Sequence, residues 1–121
     1  MSSKKEFNKI KEKILAKIGK PVEFTYPDGM KLNGILKDRV VMHTRSITQM
    51  KDFFDVIDLI NFDVEGTIKE AIRFGYYIYE DGSHRWGSQT ALTEEKSILI
   101  DLFKKAYKKQ WFKELIERLK D

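Results

Sequence analysis

Residues 72–90 read IRFGYYIYEDGSHRWGSQT, and the reading of this stretch decides the fold. Two runs of aromatic residues flank Asp81-Gly82-Ser83, with Arg73 and Arg85 among them. Alternation with a period of two is the mark of a strand, because successive side chains point to opposite faces. Asp-Gly between two such runs is a hairpin signal. Upstream, TIKEAIRFGYYIY alternates throughout. Ile68, Ile72, Phe74, Tyr76 and Ile78 fall on one face. Lys69, Ala71, Arg73, Gly75, Tyr77 and Tyr79 fall on the other. With Asp81-Gly82-Ser83 as the loop, Ile78 pairs with Trp86, and Trp86, Thr90 and Leu92 join the Ile78 face as core. Tyr79 then stands opposite Arg85, and Tyr77 opposite Gly87, on the outer face.

Working toward the N-terminus, Asp63-Val64-Glu65-Gly66 is a turn, and VIDLINF (Val56 to Phe62) reads as a largely buried strand. TRSITQMKDFF, residues 44–54, reads mostly as loop. VEFTYPDGMKLNG, residues 22–34, is a second hairpin: Val22, Phe24 and Tyr26 alternate with Glu23 and Thr25, and Pro27-Asp28-Gly29 is a turn. Its loop pairs Tyr26 with Met30, Phe24 with Leu32 and Val22 with Gly34, keeping the apolar partners on one face. Gly34 marks a bend or bulge, and the strand continues through ILKDRVVMH.

The ends of the chain are helical. Phe7, Ile10, Ile14, Leu15 and Ile18 form one apolar stripe, capped by Ser2 or Ser3 and ended by Gly19 and Pro21. Thr93 is the expected cap of the C-terminal region, with Glu94 and Glu95 in its first turn. There the stripe Leu99, Leu102, Phe103 and Ala106 points nearly opposite to the stripe Phe112, Leu115, Ile116 and Leu119. One straight helix cannot bury both, so a break is expected near Lys108–Gln110; otherwise the end of a straight helix packs on a second subunit. The expectation is one α+β domain over residues 1–121: a helix over 1–20, a five-stranded antiparallel barrel or strongly bent sheet over 21–92, and a helical region over 93–121 broken near 108–110 into two helices.

Composition bounds the function. The 121 residues contain no cysteine, which excludes disulfides, thiolate nucleophiles and cysteine metal sites. No apolar run approaches the roughly 18 residues of a membrane span. The N-terminus has no signal-peptide pattern, so a soluble cytoplasmic protein is expected. Charged residues reach 35% with few Asn and Gln, a thermophile-like balance. The net charge of +4 is uneven: residues 1–20 carry seven lysines against two glutamates, residues 21–92 are net −3, and residues 93–121 are net +2.

Gly19 to Asp38, GKPVEFTYPDGMKLNGILKD, resembles the first motif of the Sm-like family, with Gly29, Gly34 and Leu36 where that pattern puts them. The resemblance implies a small bent barrel following an N-terminal helix. Sm-like proteins form rings and bind single-stranded RNA. Here Asp38 is followed by Arg39-Val40-Val41-Met42-His43, without the asparagine of the family's RNA-contacting loop. Arg73-Phe74-Gly75 only echoes the second motif. The barrel is therefore carried over, and the RNA site and ring are not.

Three functional classes follow. The first is a non-enzymatic binding module for single-stranded nucleic acid. Tyr77 and Tyr79 would stack bases, Lys69, Arg73 and Arg85 would hold phosphates, and Lys9, Lys13 and Lys17 would add charge. Against it stands a second core, with the terminal helices covering that face. The second class is a protein-interaction or oligomerisation domain using Trp111, Phe112, Leu115, Ile116 and Leu119, unless these pack against the Phe7–Ile18 stripe. The third is a small ribonuclease using His43 and His84 as base and acid, with Arg45 or Arg85 on the phosphate. The acidic residues show no metal-ligand spacing, and no cofactor motif is present.

Overall fold

The structure is a computed structural model that describes residues 4–25, 28–45, 50–87 and 92–120. Its elements are α1 (Lys4–Leu15), β1 (Pro21–Thr25), β2 (Lys31–Arg45), β3 (Asp52–Val64), β4 (Thr67–Glu80), β5 (Ser83–Trp86), α2 (Lys96–Ala106) and α3 (Gln110–Arg118). The strands form one antiparallel sheet in the order β1-β2-β3-β4-β5, curled into a half-barrel.

Local chemistry explains most of the topology. The first hairpin pairs Val22 with Gly34 and Phe24 with Leu32, as the alternation requires. Tyr26 and Pro27 lie outside the described residues, as do the candidate caps Ser2 and Ser3. Glu65-Gly66 and Asp81-Gly82 each place both residues at positive φ, which is the two-residue turn whose twist matches the flanking strands. At Asp81-Gly82 this corrects the expected register. Ser83 is a strand residue, so Tyr77 pairs with Trp86, Ile78 with Arg85 and Tyr79 with His84. A shift of one residue exchanges faces, so Trp86 joins Tyr77 and Tyr79, and Arg85 moves to the Ile78 face.

Two strands are longer than their apolar runs. β3 begins at Asp52, so much of the segment read as loop is strand. In β2 the register shifts between Leu36 and Asp38. Before the shift, Gly34 and Leu36 share the face of Ile60 and Phe62; after it, Arg39, Val41 and His43 do so with Asp58, Val56 and Phe54. The bulge therefore lies beyond Gly34. The glycine is needed for close approach instead, because a Cβ there would sit 2.7 Å from the Asn61 carbonyl oxygen.

Both faces of the sheet are covered. α1 seals one: Ile10 and Ile14 pack with Val41, Phe54, Val56, Tyr77 and Tyr79, and Phe7 and Trp86 flank them. α2 and α3 seal the other: Leu102, Ala106 and Phe112 pack with Val40 and Ile57. The C-terminal stripe thus meets the sheet face opposite α1, not the Phe7–Ile18 stripe. α2 ends at Ala106 and α3 begins at Gln110, so the two apolar stripes separate onto two helices. α2 also starts later than expected. Glu95 stands at its N-cap with no side-chain cap bond, and Glu94 turns back toward the sheet, where its carboxylate accepts the Thr44 hydroxyl at 3.0 Å.

Candidate interaction surface

The face expected to be an open basic-aromatic platform is built as cross-strand rungs. Arg39, Asp58 and Arg73 form one; His43, Phe54, Tyr77 and Trp86 another; Arg45, Asp52, Tyr79 and His84 a third. α1 lies over this array. Tyr77 and Tyr79 retain 3% and 7% of their exposure, so neither ring is open to a base. Their hydroxyls are engaged too. That of Tyr77 accepts Arg39 Nη1 at 3.1 Å and Lys17 Nζ at 3.4 Å, and that of Tyr79 donates to Glu6 Oε2 at 3.2 Å. The tyrosines are aromatic because a helix packs on them, and their polar tips reach partners at its edge.

The arginines on this face are also committed. Asp58 is fully buried and takes the Arg39 guanidinium in a fork, with Nε–Oδ1 at 2.6 Å and Nη2–Oδ2 at 3.0 Å. Arg39 Nη1 adds a bond to the Ile14 carbonyl, tying α1 to β2. Arg73 donates to Asp58 Oδ2 at 2.9 Å and lies 4.6 Å from the Trp86 ring centroid. Gly75 makes room for that indole, since a Cβ would meet it at 2.1 Å. Arg85, on the other face, pairs with Glu80 at 3.3 Å. Lys69 is exposed beside Phe62 in register, Lys9 and Lys13 are exposed on α1, and Lys17 is exposed in the turn after it. The expected phosphate set is thus divided: Arg73 in the ion cluster around Asp58, Arg85 on the opposite face, Lys69 on the exposed start of β4, and Lys9, Lys13 and Lys17 on α1 and the turn after it.

The histidines are not brought together. His43 stacks on Phe7 at 4.1 Å, and its Nε2 lies 2.9 Å from Asp52 Oδ1. His84 stands edge-on to Tyr77 at 5.6 Å, and burial with Lys17 and Lys13 nearby holds its pKa below the usual value. They occupy different rungs, on β2 and β5, three strand spacings or about 14 Å apart along the sheet. Among the described residues no cluster of three or more His, Cys, Asp or Glu could hold a metal, and no helix is long and apolar enough to cross a membrane.

The C-terminal interface residues divide. Trp111 is half-buried, and its indole N–H donates to Asp38 Oδ2 at 2.8 Å. Burial works against that carboxylate, but the indole, the Arg39 backbone N–H and Lys109 outweigh it and hold Asp38 below its usual range. Phe112 is core. Ile116 is half-buried, while Leu115 and Leu119 are exposed. Next to them lies the feature that the sequence reading missed, a groove of about 360 Å³ between α2 and α3. Leu99, Phe103, Phe112 and Ile116 line it, with the half-exposed Ile100 and Tyr107. Lys96 and Lys104 stand beside Ile100. Ile100 was the available signal: it is a large apolar residue one position off the buried stripe of α2.

The chain matches no protein-family model, no curated protein and no solved structure.

Proposed function

We propose that this protein is a non-enzymatic binding module whose working surface is the α2–α3 groove, which docks an apolar segment of another polypeptide. The observation that carries this reading is an apolar trough left uncovered on helices whose other sides are already used. Leu102, Ala106 and Phe112 are spent on the sheet, yet Ile100 stays 46% exposed and Tyr107 38%. Contiguous exposed apolar surface of this kind marks interaction sites.

A second reading, binding of single-stranded nucleic acid, is supported by a separate feature. Lys105 of α2 is exposed, yet partial desolvation of its ammonium, then Lys11 of α1 and Lys108, hold its pKa below the usual value. Lys9 and Lys13 are exposed along α1 and Lys17 in the turn that follows it, so the same helical layer carries further cations. Such a surface holds phosphates without reading bases.

Chemical-shift mapping of the labelled protein tests both. Titration with a leucine-striped amphipathic peptide is expected to move α2 and α3 resonances. Movement confined to α1, Lys105 and Lys108 on adding single-stranded RNA or DNA at low salt, with none from the peptide, selects the second reading. No movement from either probe overturns both.

A further inference from the structure

Resting on the reading of the α2–α3 groove as a docking site, we infer that its occupant is an acidic amphipathic helix of a partner protein. The groove lies between two helices whose backbone groups are already paired within them. An extended segment would find no ladder there, whereas a helix brings its own backbone bonds and offers only side chains. Lys96, Ile100 and Lys104 recur every four residues and so lie in one line along α2. The two lysines are about 12 Å apart along the axis, one turn to either side of the isoleucine. Lys113, 5.7 Å from the Tyr107 ring centroid, adds a cation beside that wall of the groove. The nearby Glu117 is occupied, accepting the Tyr107 hydroxyl at 2.5 Å and Lys120 Nζ at 3.4 Å. Among the described residues Lys96 and Lys104 form no ion pair. An apolar trough bordered by unspent cations selects an apolar stripe flanked by carboxylates. A second copy of this chain fits less well, since it carries net charge +4 and would bring α2 lysines toward one another.

The test uses two fluorescent helical peptides with one leucine stripe at i, i+3, i+4 and i+7, flanked by glutamates in one and lysines in the other. Anisotropy titrations are run at low and high salt. The acidic peptide is expected to bind about tenfold tighter, as two exposed ion pairs allow, and to lose that advantage in high salt. Lys96→Glu/Lys104→Glu should reverse the preference. Ile100→Glu should abolish binding of both peptides. All three positions are exposed, so melting temperatures serve as the folding control. Equal binding of the two peptides overturns the acidic class while leaving the groove as a docking site. If neither binds but sedimentation shows self-association that Ile100→Glu removes, the occupant is a second copy and the inference falls. If neither binds and the chain does not self-associate, the docking reading itself fails.

Discussion

Asp55 and Asp58 are three residues apart on β3, on opposite faces, and the sheet treats them differently. Asp58 is gripped by two arginines, so its removal leaves Arg39 buried without its counter-ion. Asp58→Ala is expected to cost about 3–5 kcal/mol in chemical denaturation, because the penalty is an uncompensated buried charge. Asp55 is 1% exposed, and no donor reaches either of its carboxyl oxygens. Burial, then the neighbouring Glu94, pushes its pKa up to about 9. The native state therefore keeps a proton that the unfolded chain releases near pH 4. This contribution to stability is complete below about pH 4 and declines as the pH rises toward 9, at up to about 1.4 kcal/mol per pH unit. Asp55→Asn should flatten that decline. Its melting temperature should exceed that of the native chain by a margin that grows from pH 5 to pH 9, and parallel curves would refute the raised pKa. Neither aspartate was legible as special in DVIDLI, residues 55–60, since burial on two faces depends on helices far away in sequence.

At the scale of elements, the hairpin of β4 and β5 shows how a turn sets chemistry. Its strands were legible from alternation alone. Its register was not, because Asp81-Gly82-Ser83 admits both a two- and a three-residue loop. The positive φ of both Asp81 and Gly82 selects the shorter one. That single step moves Trp86 onto the face of Tyr77, over Gly75. Gly75→Ala is thus expected to cost about 1–3 kcal/mol through overpacking, with a change in tryptophan emission as the indole is displaced. An unchanged spectrum and stability would contradict the packing of Trp86 on Gly75. The α2–α3 break was legible for the same reason as the strands. Two stripes pointing apart are a local fact of spacing, and no contact had to be known to see them.

The whole molecule is a three-layer arrangement: α1, the curled sheet, and α2 with α3. Its two cores share β2, β3 and β4, so damage on either side should be felt as one transition. Ile14→Ala is expected to cost about 2–5 kcal/mol and Phe112→Ala about 3–5 kcal/mol. Each should shift a single denaturation curve followed in parallel by far-ultraviolet dichroism and tryptophan fluorescence. Separate transitions in Phe112→Ala would mean that the C-terminal helices detach on their own. Periodicity and turn chemistry, which act between neighbours, were enough to determine from sequence alone the α+β class, the antiparallel order, the terminal helices and the split of the last one. What covers each face of the sheet was decided only by tertiary structure. A row of tyrosines and arginines reads the same whether solvent or α1 lies above it, and only the packed helix turns Tyr77 and Tyr79 from a stacking surface into core. The same packing leaves Ile100 and its lysines outward, which is why the candidate site lies on the helices and not on the sheet.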